Sequence, residues 1–230
     1  MRVTRFLVLA AAVATPTALI LPGSQAVPPT DCETPVASAP EFAPGTTNTV
    51  TWTAGSSGGF QIEVASGPET EGNGSFVDAN LVFVDGSIAA TATQYTVSGL
   101  AEQTHYFHVR AKTKPQGCNA SPWGNVVSTT QDATGPSAEV DSPTVPLVIS
   151  ALDGKVTGTA SDAGSGVASV SVAFTPDLLG AAEIRPADGT STWEVTTAGL
   201  APGLYTVTAT ATDAIGNTGS PSAAVTIIIV

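Results

Sequence analysis

Short stretches in which apolar and polar residues strictly alternate recur along most of the chain. At 49–53, Val50 and Trp52 fall on one side, and Phe60, Ile62 and Val64 repeat the pattern ten residues later. A period of two is what a β-strand shows when one face packs on a core and the other meets water. The same reading predicts strands at 81–84, 94–97 and 126–129, then at 145–149, 155–160, 167–174, 192–195 and 224–230. No segment sustains a helical period. About seven short strands per hundred residues, with Gly-, Asn- and Pro-containing turns between them, predict an all-β protein of antiparallel β-sandwich type.

An internal repeat divides this pattern in two. Val97-Ser98-Gly99-Leu100-Ala101 returns 100 residues later as Thr197-Ala198-Gly199-Leu200-Ala201. In the second copy Tyr205, Val207, Ala209 and Ala211 follow, interleaved with Thr206, Thr208, Thr210 and Thr212. At the same offset the first copy has His105, Phe107, Val109 and Ala111 on one face, with Tyr106, His108, Arg110 and Lys112 on the other. A small, polar stretch around Gly135-Pro136 separates the copies. The expected organisation is a first domain at 27–131, a linker at 132–136 and a second domain at 137–230.

The start of the chain changes the picture of where these domains work. Arg2 and Arg5 precede an apolar run, and Ser24-Gln25-Ala26 offers small residues at a cleavage site, so residues 1–26 read as a secretory signal peptide. The competing reading, a retained anchor, is opposed by Pro16 and Pro22, which interrupt a stretch already short for a span. Cleavage removes two of the seven basic residues and none of the 19 acidic ones, taking the net charge from −12 to −14. Nucleic acids and anionic membrane surfaces need clustered Lys and Arg and are poor partners for such a chain. The apolar end at 226–230 is the length of a strand, not of a membrane segment. Secretion is expected, with attachment to a cell surface depending on a partner. In that oxidising setting the two cysteines, Cys32 and Cys118, are expected to form one disulfide.

Several stretches carry family resemblance. Trp52, the Tyr95-Thr96-Val97-Ser98-Gly99-Leu100 approach, the strand from His105 to Ala111 and Ser121-Pro122-Trp123-Gly124 make the first domain resemble a fibronectin type III module. That family places an inward tyrosine at the corner. Strand register assigns the position to His105, whereas counting from Leu100 favours Tyr106, and the sequence leaves both open. The second domain is similar to the immunoglobulin-like modules of bacterial surface proteins, on Val156-Thr157-Gly158-Thr159-Ala160-Ser161-Asp162, the segment from Ser165 to Val170, and the run from Gly203 to Asp213 with Gly216-Asn217. The fibronectin-like topology implies that Cys32 and Cys118 share one pole.

Candidate chemistry is sparse. His105 and His108 stand three apart on one strand and so face opposite ways, which rules out a shared metal. His105 is expected to pack at the corner and His108 to face solvent. No serine sits in a nucleophile-elbow pattern and no glycine-rich phosphate loop follows a strand, so an enzyme is not expected. Trp52, Trp123 and Trp193 all read as core.

One group invites a ligand. Asp162 and Asp213 end strands, Asn217 follows in the same loop, and Asp132 lies in the linker at that pole. Four oxygen-bearing side chains are thus expected to converge where a structural calcium ion would fit, the alternative being ordinary Asx-turn capping. No other cofactor is expected. The function this supports is a secreted, non-catalytic interaction or spacer protein that contacts an extracellular protein or a cell-envelope component in adhesion. The alternative is a carbohydrate-binding accessory to polysaccharide degradation, which predicts an exposed aromatic ring or a polar groove. Tyr106 is the one candidate for such a ring.

Overall fold

The computed structural model describes residues 30–53, 55–143, 147–150, 154–178 and 180–230. The expected signal segment at 1–26 and the start of the strand expected at 145–149 lie outside them.

The first half contributes β1 (Ala37–Ser38), β2 (Phe42–Pro44), β3 (Thr47–Trp52), β4 (Phe60–Ala65), β5 (Leu81–Ile88), β6 (Gln94–Ser98), β7 (Thr104–Ala111) and β8 (Val127–Asp132). They form a three-stranded sheet, β1-β3-β6, packed on a five-stranded sheet, β2-β8-β7-β4-β5. The alternation read from sequence decides which face is inside. On β3 Val50 and Trp52 are buried while Thr49 and Thr51 are exposed, and on β4 Phe60, Ile62 and Val64 meet them from the opposite sheet. Trp52 and Phe60 lie 5.4 Å apart, tilted by 59°.

The second half repeats the plan with β9 (Ser137–Ser142), β10 (Leu147–Ile149), β11 (Lys155–Ser161), β12 (Val167–Pro176), β13 (Glu183–Pro186), β14 (Asp188–Gly189), β15 (Thr192–Thr196), β16 (Gly203–Asp213) and β17 (Val225–Ile229). Sheet β14-β15-β11-β9 packs on β10-β17-β16-β12-β13. Apart from the parallel pairs β2 with β8 and β10 with β17, all the ladders are antiparallel. The protein is a tandem of β-sandwiches. Its two cores are separate clusters, one around Trp52, Phe60 and Phe107, the other around Phe174, Trp193 and Val207.

The internal repeat is one corner built twice. Gly99 and Gly199 turn the chain with φ of 77° and 82°, a region open to glycine, and Leu100 and Leu200 drop into the two cores. At the next strand His105 Nε2 lies 3.0 Å from the Ala101 carbonyl, and the Tyr205 hydroxyl donates to the Ala201 carbonyl at 3.0 Å. A carbonyl can only accept, so the proton of His105 sits on Nε2. The corner position of the first domain is therefore His105, and Tyr106 is half-buried on the opposite face. Imidazole and phenol make the same bond from the same place. Tyr205→Phe, which deletes only the donor, is expected to cost about 1 kcal/mol, read as a lower calorimetric midpoint for the second domain's transition.

The disulfide joins Cys32 to Cys118 with Cα atoms 4.9 Å apart. The backbone of Cys32 also donates to the Asn119 carbonyl, so the chain entry is pinned to the β7–β8 connection twice over.

Candidate functional site

The joint between the sandwiches is polar and specific. Strand β8 runs through Asp132, and β9 begins at Ser137. Three carboxylates meet between them. Asp132 comes from the end of β8, Asp162 from the turn after β11 and Asp213 from the end of β16, each with an oxygen within 4.8 Å of the others. The strands fix these positions, because β11 and β16 both end at the pole where the chain enters the second domain.

Each acid is held by amides. The Asp162 carboxylate accepts from the N–H groups of Gly164 and Gly166, at 3.0 and 2.7 Å. Asp213 Oδ1 accepts from the N–H groups of Ile215 and Asn217, and its Oδ2 from the Asn217 side-chain amide. Burial alone would raise the Asp213 carboxyl. The donors from Asn217, Ile215 and Gly216 outweigh it and hold the group below the usual carboxylate value. Asn217 also donates to the Asp132 carbonyl at 3.0 Å, and Asp132 Oδ2 accepts from Ser165 N–H at 2.7 Å. These two bonds cross the joint, and the bond from the Thr134 hydroxyl to Glu102 at 2.6 Å ties the connection back to the first domain. The structure thus brings Asp132, Asp162, Asp213 and Asn217 together.

A second polar cluster escaped the sequence. His108, expected to face solvent, is 1% exposed. It does point away from the sandwich core, but the connection between β4 and β5 folds back over that outer face and lays Phe76 on the ring. Phe76 and His108 stack at 4.0 Å, and Trp123 stacks on the other side at 4.0 Å and 10°. The Arg110 guanidinium caps the pile 4.5 Å from the Trp123 ring centre and is held by two bonds to Gln61. Trp123, expected in the core, is half-buried outside the sheet, because its segment lies along β7 through Gly124 N–H to the Val109 carbonyl and turns the ring outward. Gly74, at φ 83°, lets the loop approach: a Cβ there would sit 3.2 Å from the Trp123 ring.

Glu63 anchors this stack. Paired across the ladder with His108, it accepts from His108 Nε2 at 2.9 Å, from the Ser75 hydroxyl and from Phe76 N–H. Burial lowers the His108 pKa and Arg110 adds to that. The Glu63 bond and charge oppose both, and the net direction is down. The sequence held one signal for this cluster: an acid, Glu63, at an outward position flanked by Ile62 and Val64, opposite a histidine.

The exposed apolar surface is aliphatic. On the outer face of the second domain Val148 pairs with Ile228, and Ile228 with Leu204, so three side chains stand in a row across β10, β17 and β16. They are 57%, 37% and 39% exposed. Every Trp, Tyr and Phe among the described residues is buried or half-buried, Tyr106 included. No described helix is long and apolar enough to cross a membrane.

No protein family's sequence profile matches the chain, and no curated protein sequence does. Among solved structures it is similar to the FN1–FN3 domains of chicken CNTN1, at 13% identity and a TM-score of 0.43, over 88% of this chain and 68% of that one. A two-domain fibronectin type III segment of chicken tenascin matches at 14% identity and 0.31, over 87% and 98%. A bacterial ice-binding adhesin described for host cell surface retention matches at 17% identity and 0.38, over 86% and 66%.

Proposed function

We propose that the chain is a secreted, non-catalytic binding module, two sandwiches connected by a hydrogen-bonded joint, that attaches to a protein component of a cell envelope. The observation that carries this reading is the Val148–Ile228–Leu204 row. Apolar side chains standing together in water, rimmed here by Thr206 and Thr226, mark a surface that is covered in use. The row lies at the end of the second domain away from the joint, where a partner can reach it without touching the first domain. Its chemistry fits a protein. Saccharide rings stack on exposed aromatic faces, and among the described residues every Trp, Tyr and Phe is buried or half-buried, Tyr106 on the outer face included, which favours a protein over a polysaccharide ligand. The remaining surface, with its excess of acids, keeps the module soluble and repels anionic polymers.

Binding of the labelled mature chain to envelope fragments tests this. Saturable binding is expected, abolished when the fragments are first treated with protease and unaffected by soluble polysaccharide. Leu204→Asp with Ile228→Asp is expected to weaken it at least tenfold, a loss of about 1.4 kcal/mol or more. Binding to protease-stripped walls or to pure insoluble polysaccharide would instead establish the carbohydrate-binding alternative.

A further inference from the structure

The joint carries a feature that hydrogen bonding leaves unexplained. Three carboxylates lie within 4.8 Å of one another, two of them buried, and none of the ion pairs found among the described residues involves them. Asp132 is 1% exposed, and while its Oδ2 takes the Ser165 amide, its Oδ1 is buried with no partner. The hydroxyl of Ser165, the residue whose amide binds Oδ2, is also buried and unpartnered. A buried carboxylate oxygen without a donor costs about 1–3 kcal/mol or more, and adjacent like charges add to that. The Asp132 carboxylate is nevertheless held firmly: a Cβ on Gly164 would fall 2.3 Å from its Cγ, so the turn after β11 closes directly against it.

A cation removes both difficulties at once. We propose that Asp132, Asp162 and Asp213 bind a single calcium ion that locks the two domains together, with Asp132 Oδ1 as the ligand that has no other use. The donors are all oxygen, which excludes a zinc or copper preference. Calcium–oxygen distances are about 2.3–2.6 Å, so ligands on opposite sides of the ion stand roughly 4.6–5.2 Å apart, and oxygens that all lie within 4.8 Å of one another fit one shell. Magnesium demands near-ideal octahedral geometry and gives up its waters reluctantly, so a flexible set of carboxylates favours calcium. Waters and neighbouring oxygens, the Ser165 hydroxyl among them, complete the shell. Because Asp132 belongs to β8 and the other two acids to the second domain, the ion's ligands come from both sides of the joint. This inference is independent of what the outer surface binds.

Equilibrium dialysis of the full mature chain against calcium is the direct test. One ion per chain is expected, with half-saturation at roughly 0.1–1 mM, the range of extracellular calcium modules. The unfolding midpoint should rise by several degrees over the same concentrations, and magnesium should bind at least tenfold more weakly. Asp132→Asn is expected to weaken calcium binding at least tenfold, while Asp141→Asn, an exposed site on β9, leaves it unchanged. Asp162→Asn, in a half-exposed turn, repeats the test if the first variant fails to fold. No bound calcium at 10 mM, or equal binding by wild type and both joint variants, overturns the proposal.

Discussion

Replacing Glu63 by alanine is expected to lower the stability of the first domain by about 2–6 kcal/mol. Two buried donors, the Phe76 amide and His108 Nε2, lose their acceptor together, and each unsatisfied buried group costs about 1–3 kcal/mol. The loop that carries Phe76 then loses its hold on the sheet. Glu63→Gln keeps one acceptor oxygen and is expected to recover part of the loss. Denaturant unfolding followed by tryptophan fluorescence reports this well, since Trp123 is a member of the stack. An Ala variant within 0.5 kcal/mol of wild type would mean that the cluster is not held through Glu63.

The same cluster gives the first domain an acid limit. His108 has a folded pKa below its unfolded value of about 6.5, so below that pH the unfolded chain binds more protons than the folded one. Its contribution is complete above pH 6.5 and is lost as pH falls through the folded value. The groups facing it are Glu63, from β4, and Arg110, from its own strand; the rings of Phe76 and Trp123 do not titrate in this range. The midpoint of the first domain should therefore fall as the pH is lowered below about 6.5 in the wild type and change less in His108→Phe.

Opening the disulfide is expected to have a comparable effect by a different route. Cys32 and Cys118 close a loop with a sequence separation of 86, for which the chain-entropy relation gives about 4–5 kcal/mol. The loop spans nearly the whole first domain and none of the second. Reduction, or Cys32→Ser with Cys118→Ser, should lower the first calorimetric transition strongly and leave the second in place. Movement of both transitions together would mean that the sandwiches unfold as one unit.

Much of the fold was legible because it rests on local alternation. Val50 with Trp52, Phe60 with Ile62 and Val64, and the run from Tyr205 to Ala211 each declare a buried face, and the two Gly-Leu corners mark where the chain turns onto it. The strands that sequence missed are those with little alternation to show. Ala37–Ser38 and Asp188–Gly189 are two residues long, β13 ends in proline, and β9 is mostly Ser, Ala and acid. Their pairing is imposed by neighbours already in place.

The sites divide along the same line. The convergence of Asp132, Asp162, Asp213 and Asn217 was legible because strand ends that share a pole follow from topology alone. The burial of His108 was not, because its cover comes from Phe76, more than thirty residues away in a loop with no periodicity. The outward turn of Trp123 was not legible either, because it follows from the Gly124 N–H bond to the Val109 carbonyl, which no alternating pattern announces. Side chains on the outer face of a sheet read as solvated until something is known to lie over them.

The Cys32–Cys118 bond also decides what this protein does when it is pulled. Tension entering near residue 30 and leaving through β8 passes across the sulfur bridge, and the residues between Glu33 and Gly117 stand outside the line of force. An unfolded chain lengthens by about 3.3–3.6 Å for each residue released. With the bridge intact the first domain can therefore release only the short stretch from Cys118 to Asp132, and it behaves as a nearly inextensible link. The second sandwich, which has no such bridge, is the element that yields.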